Sequence, residues 1–438
     1  MDEKKRESII RRYDEGREHS KRLLEMLTPD AYYERPISLR HPFVFYDGHF
    51  AAFNFITLVR RALKRPSIDE RLERLFERGI DPDSGSAADA SSPAQWPDRR
   101  EVLAFCEESD AQVRRALEND RLCDAANPLL VRGEAVYTIL EHERMHHETL
   151  RYMLHQLPYE KKTEAFRSET PRNGNPPLRQ PVAVPGGVVT LGADRDEIDF
   201  GWDNEFPRLH AEVEPFEIDE LPVTNAEMLE LVENGAYRKR ELWDDEAWEW
   251  IRSEGITHPP FWRKRGERWM WIGMHEEIPL PQSWPVWATL AEARAFAKWK
   301  GKRLPTEAEY HRAAFGTPGG VERLYPWGDE PPDETRGNFD LRYHEPMPVG
   351  SHPAGTSAWG VQELVGNGWE WTETAFAGFP GFRSMASYPP YSSDFFDGKH
   401  FVIKGASPST SRHLVRRSFR NWFRPTYPYV YAKFRCVG

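Results

Sequence analysis

The sequence predicts an α+β chain in two parts: a helical bundle over residues 1–165 and an α+β domain over 182–438, joined by a linker at 166–181. Three observations predict it. Apolar residues in the first part recur at helical spacing among charges. The stretch EKKTEAFRSETPRNGNPPLRQP is polar and holds four prolines, which breaks the helical pattern. Beyond Val182 the texture becomes short β-type runs separated by Gly, Pro and Asp. At 438 residues the chain is long enough for two cores.

The first helix is carried by Ile9, Ile10 and Tyr13 and then by Leu23, Leu24, Met26 and Leu27. A second is expected from about Asp47 to Leu63, through GHFAAFNFITLVRRAL. Residues 81–98, DPDSGSAADASSPAQWPD, are small and polar and predict a loop. Helical patterning returns in REVLAFCEESDAQVRRALEN and in GEAVYTILEHERMHHETLRYMLHQL. Such helices with these connections predict an up-down bundle. In the second part, VAVPGGVVTLGA and AEVEPFEIDELPVT read as strands, and NAEMLELVENGAY and TLAEARAFAKWKG as helices. The remainder is rich in Trp, Gly and Pro and predicts irregular loops.

Composition narrows the function. The net charge is −11, so no basic stripe for nucleic acid is expected. The three cysteines, Cys106, Cys123 and Cys436, form no C-x-x-C pair, which argues against a disulfide framework and a thiolate zinc site. The charged N-terminus lacks the apolar stretch of a signal peptide, and no apolar run reaches the ~18 residues of a membrane span. A reducing cytoplasm is the expected compartment, with no membrane partner.

The strongest chemical signal is EHERMHHETL, residues 141–150. His142 and His146 stand four apart on a predicted helix, so their rings share a face with Cβ atoms about 5–6 Å apart. His147 and Glu148 point elsewhere. His49, in FYDGHFAAFNF, is the best third ligand, because facing bundle helices commonly hold metals between them. Three imidazoles suit zinc or ferrous iron, and ligand type does not separate the two. A hydrolytic zinc site would need a base, for which Glu143 or Glu148 is available.

The pattern DGHFAAF followed by HERMHHETL resembles the DinB-like domain of the ergothioneine-pathway, EgtB-like non-haem iron sulfoxide synthases. The segments VPGGVVTLG, WDNEFPRL, LPVTNAEMLELVENGAY, GKRLPTEAEY, YPWGDE, PVGSHPAGTSAWGVQELVGNGWEWT and SFRNW resemble, in order, their formylglycine-generating-enzyme-like, C-type-lectin-related domain. The resemblance implies a DinB-like four-helix bundle that holds Fe(II) through His49, His142 and His146, with O2 as co-substrate. It implies hercynine (Nα-trimethylhistidine) as the imidazole substrate and a sulfur or selenium donor as its partner. It also implies a proton-donating tyrosine in FRSMASYPPYSSDFFDG, for which Tyr388 is the first choice and Tyr391 the second. Asn421 and Trp422 would help to hold hercynine, whose trimethylammonium group favours aromatic faces. Formylglycine chemistry itself is not implied, since that reaction needs a cysteine pair and this domain has only Cys436.

The sequence departs from the family in the donor pocket. Relatives that take γ-glutamylcysteine carry an acid after Asn-Trp and an arginine four residues further on. Here these are Phe423 and Tyr427. Charge-assisted hydrogen bonds are worth about 1.5–3 kcal/mol each, so a zwitterionic donor would be held less well there. Two donors are therefore expected. A selenosugar stacked on Phe423, Tyr427 and Tyr429 would place the chain in the selenoneine synthase branch, and the sequence leans that way. A cysteine-type thiol anchored through Arg420 or Arg424 would place it with the ergothioneine-pathway enzymes. A zinc-dependent thiol transferase or hydrolase and a non-catalytic ligand-binding protein are the alternatives from other classes.

Overall fold

The computed structural model describes residues 2–77, 96–165, 167–171, 173, 174, 178 and 180–438. Most of the expected loop at 81–98, and residues 166, 172, 175–177 and 179 of the expected linker, lie outside the described residues. The chain forms two compact units, Met1–Arg167 with Ala386–Tyr388, and Ser168–Met385 with Pro389–Gly438.

The first unit is helical. Helix α1 (Glu3–Glu25) starts where the Asp2 carboxylate accepts the Lys5 N–H. It buries Ile9, Tyr13, Gly16, Ser20, Leu23 and Leu24, a stripe at three- and four-residue intervals. Helix α2 (Phe43–Asn54) is buried at every position and is the axis of the unit. It begins four residues earlier than the apolar pattern suggested. Its first N–H groups are taken by local carbonyls: Phe43 donates to Glu34, Val44 to Tyr32 and Phe45 to Pro42. The helix then continues as a π-helical segment over Phe55–Ala62. A short helix α3 (Glu70–Phe76) follows, capped by Asp69. Helices α4 (Arg99–Asn119) and α5 (Glu134–Gln156) complete the bundle, and α2 packs against α1, α3, α4 and α5.

The second unit is α+β with four small sheets. Strand β1 (Pro181–Val184) pairs antiparallel with β4 (Phe216–Asp219), and β2 (Gly187–Leu191) with β3 (Leu209–Val213). Strands β5 (Trp262–Arg265), β6 (Arg268–Ile272) and β7 (Glu277–Pro279) form a meander. The largest sheet runs β10 (Asn421–Phe423), β9 (Phe401–Ala406), β8 (Gly368–Ala375), β11 (Ala432–Lys433), with only the last pair parallel. Helices α6 (Asn225–Glu233), α8 (Leu290–Trp299) and α9 (Glu307–Phe315) each begin with a Thr-x-x-Glu capping box. Helix α7 (Asp245–Glu254) was not legible, because DEAWEWIRSE buries only Ala247 and Ile251. The irregular loops are held by buried polar groups rather than by ladders. Glu370, fully buried, accepts from Lys433 and Arg435, and Arg435 also donates to the carbonyls of Asp219, Glu220 and Gln362.

Candidate metal centre

Two buried helices bring three histidines together. His49 lies in the second turn of α2, and His142 and His146 lie one turn apart on α5. One nitrogen from each ring lies within 4.8 Å of the others, and no other such group occurs among the described residues. The Nε2 atoms of His142 and His146 are 3.0 Å apart. Aromatic side chains fix the ring planes. Phe53 stacks on His142 at 3.4 Å and 10°, Phe45 stacks on His49 at 4.9 Å and 22°, and Phe50 lies 5.7 Å from His146.

The electrostatics suit metal ligation. Burial pushes the pKa of His49 down to about 4. Burial, then the neighbouring histidines, holds His142 and His146 well below the usual imidazole range. All three rings are therefore neutral at pH 7 and offer lone pairs. His49 Nδ1 donates to the Phe76 carbonyl at 2.6 Å, which leaves its buried Nε2 with no protein partner. A buried orphan nitrogen aimed at two further imidazoles fits a divalent cation, and the donor set is the one zinc and ferrous iron both accept.

The residues around the histidines were legible in part. His147 is turned away: its Nε2 lies 2.8 Å from Ser20 Oγ, and that hydroxyl donates to Glu143 at 2.5 Å. Glu143, suggested as a base for a zinc hydrolase, has both oxygens occupied. Oε1 accepts from Arg17 and Ser20, and Oε2 from Asn54. Burial pushes this carboxyl up, but Arg17, His147, Ser20 and Asn54 together hold it below its ordinary range. Sequence reasoning missed the Phe76 carbonyl altogether, since a backbone acceptor leaves no side-chain signature.

The two candidate tyrosines are in different surroundings. Residues 386–388 belong to the helical unit, where Ser387 N–H donates to Glu134 at 2.8 Å and Ser387 Oγ lies 2.8 Å from Thr138 Oγ1. The Tyr388 ring sits 5.9 Å from the His142 ring and 5.4 Å from Phe53. Tyr391, in the second unit, stacks on Trp202 at 4.0 Å and meets Trp422 edge-on at 5.3 Å.

The remaining candidates lie on or near β10. Trp422 stacks on Phe376 at 4.0 Å and 8°, and the Asn421 side chain accepts the Trp422 N–H. Phe423 and Tyr427 stack on each other at 5.0 Å, with Tyr429 edge-on to Tyr427 at 5.2 Å. Arg420 is buried and donates to Glu307 and to the carbonyls of Asn204 and Ala377, which are structural partners. Arg424 is exposed.

Comparison with known proteins agrees with this architecture. Residues 12–150 match the DinB superfamily, and residues 167–438 match the sulfatase-modifying factor enzyme 1-like domain. The chain is 34% identical over 388 residues to a hercynine oxygenase of Mycolicibacterium thermoresistibile, covering 85% of this chain and 81% of that one. It is 36% identical over 313 residues to a hercynine oxygenase of Mycobacterium tuberculosis, covering 68% of this chain and 69% of that one. Ergothioneine biosynthesis protein 1 of Neurospora crassa is 29% identical over 503 residues, covering 94% of this chain and 55% of that protein.

Proposed function

The chain belongs to the family of oxygen-dependent hercynine oxygenases, and on that premise we propose that it joins a chalcogen donor to the imidazole C2 of hercynine at a ferrous site held by His49, His142 and His146. The observation that carries this reading is the buried three-histidine cluster with Tyr388 beside it. With a thiol donor the reaction balances as imidazole C–H plus RSH plus O2 giving the C2 sulfoxide and water. Bound ferrous iron supplies O2 activation and a coordination position for sulfur.

The chain's own groups supply the rest. Burial keeps the three imidazoles neutral and so ready to ligate. Phe53, stacked on His142, shields the ligand shell on one side from water. Tyr388 is the proton donor, because its ring lies against the ligand His142 while Tyr391 is stacked on Trp202. In the second unit Trp422 and Asn421 remain the candidates for holding a trimethylammonium group, which favours aromatic faces.

The preference between donors is reversed from the sequence reading. The relatives are hercynine oxygenases and ergothioneine biosynthesis proteins, which favours cysteine or γ-glutamylcysteine as the partner. The selenosugar reading is kept second on one observation, the uncharged Phe423–Tyr427 stack where the γ-glutamylcysteine enzymes carry an acid and an arginine. The test is an anaerobically prepared Fe(II) enzyme given hercynine and O2 with cysteine, γ-glutamylcysteine or a 1-seleno-sugar in parallel, read by mass spectrometry. A sulfoxide adduct supports the first donor class, and a selenium adduct alone the second. No adduct and no O2 consumption would overturn both and return the site to zinc chemistry. Among the described residues, no helix is long and apolar enough to cross a membrane.

A further inference from the structure

We propose that helix α3, which supplies no ligand, is the positioning device of the metal centre: the Phe76 carbonyl at its end keeps the His49 proton on Nδ1 and so aims the Nε2 lone pair at His142 and His146. The inference rests on reading the three histidines as a metal site and adds to it a control over ligand tautomer.

The chemistry is forced by the hydrogen bond. A carbonyl oxygen only accepts, so the 2.6 Å contact from His49 Nδ1 to Phe76 O requires the proton on Nδ1. Without that acceptor the proton is free to sit on Nε2, the atom that faces the other two rings. The carbonyl is held by packing as well as by the bond. Gly48, one residue before the ligand, has no side chain, and a Cβ there would lie 2.4–2.5 Å from three atoms of the Phe76 ring. The ring therefore lies flat against the backbone of α2, which no other residue at position 48 would permit. Phe76 is fully buried and also packs near Phe45, the ring that stacks on His49.

The other end of α3 is pinned by a buried carboxylate. Glu73 Oε1 accepts from Ser67 Oγ at 2.6 Å and Ile68 N–H at 2.9 Å, and Oε2 accepts from Arg60 Nε at 3.1 Å. Asp69 caps the same turn through Arg71 and Leu72 N–H. A seven-residue helix is too short to be stable alone, so these anchors decide where its last carbonyl lies. Outer partners of this kind typically change metal affinity 10–100-fold when lost.

The test uses the full chain with ¹⁵N-labelled histidine. Nuclear magnetic resonance of the metal-free protein reads which His49 nitrogen carries the proton, and titration with Fe(II) alone reads affinity. The wild type is expected to hold the proton on Nδ1. Gly48→Ala is expected to give a mixture of tautomers and a 10–100-fold weaker Fe(II) affinity. Adding Phe76→Ala to that variant removes the ring and keeps the carbonyl, and is expected to recover both readouts in large part. Glu73→Gln, a milder change, is expected to move both in the same direction as Gly48→Ala and carries the test if Gly48→Ala does not fold. A proton on Nε2 in the wild type, or an unchanged tautomer and affinity in the folded variants, would overturn the proposal. A wild type with the proton on Nδ1 that takes up no Fe(II) would overturn the metal reading alone.

Discussion

Replacing Arg17 by Met removes the guanidinium that donates to Glu143 and tests how the helical unit tolerates a carboxylate beside a ligand. Arg17 Nη1 lies 2.8 Å from Glu143 Oε1, and Arg17 Nη2 lies 3.0 Å from Asp110. The Glu143 side chain is 3% exposed, so its lost partner is not replaced by water. Breaking a buried pair from one side costs about 3–5 kcal/mol. The Asp110 contact, on a side chain 30% exposed, adds at most about 1 kcal/mol. The expected loss is therefore about 3–6 kcal/mol, and Arg17→Met with Glu143→Gln should recover most of it, because the amide needs no counter-charge.

The pH dependence has a definite sign. In the wild type Glu143 titrates below its ordinary range, so its contribution is present above the unfolded pKa of about 4.3 and fades as pH falls. In Arg17→Met burial dominates and raises the folded pKa above about 4.3. That variant is then least penalised in acid, and its deficit relative to the wild type grows as pH rises. Urea unfolding followed by helical circular dichroism reads the first unit. Tryptophan fluorescence serves as the internal control, since Trp96 is the one tryptophan before residue 202 and the other 15 lie in the second unit. A variant within 1 kcal/mol of the wild type, or a double variant with no recovery, would refute the reasoning.

Three further outcomes are expected. His142→Ala should lose iron and activity together, and stoichiometric iron retained by metal analysis would remove it from the ligand set. Tyr388→Phe should keep iron and substrate binding but slow adduct formation or divert the reaction to donor oxidation. Unchanged turnover and product ratio by mass spectrometry would move the role to Tyr391. Burial raises the Glu292 carboxyl of α8 to about 7. Its folded form keeps a proton that the unfolded chain has lost, so its stabilisation is full below about 4.3 and declines by about 1.4 kcal/mol per pH unit up to about 7. Glu292→Gln should flatten that part of the stability profile of the second unit, measured by urea unfolding between pH 4.5 and 7.5, and an unchanged slope would show that the carboxyl is already ionised.

The helical unit was legible because its helices carry their own periodicity. The His142–His146 pair follows from helical spacing, and His49 from a polar residue set among Phe50, Phe53 and Phe55. The start of α2 was not legible, since the Tyr32 and Glu34 carbonyls that accept its first N–H groups come from the preceding turn and leave no mark on the apolar periodicity. In the second unit the Thr-x-x-Glu boxes at Thr224, Thr289 and Thr306 are sequence signals, but the loops between them are set by long-range bonds. Asn367, with φ 66°, accepts from Met347 N–H and Asn338 and donates back to the Met347 carbonyl, a pattern with no local precursor. Arg420 illustrates the same limit. Its place beside Asn421 and Trp422 suggested a ligand-binding cation, whereas only the fold reveals Glu307 as its partner.

The π-helical stretch that continues α2 gives the chain room to change length there without changing direction. Residues 55–62 carry a wider turn than the helix before them. Deleting one residue within them would let the narrower ordinary ladder close, and because that ladder turns further per residue the lost rotation is largely made up. His49 and the Asn54 contact to Glu143 lie upstream and would keep their places. The chain beyond the stretch would still run toward α3 and its Glu73 anchor. A single-codon deletion there should therefore be absorbed by the change of ladder with every ligand intact, whereas one between Phe43 and His49 would have no wide turn to absorb it.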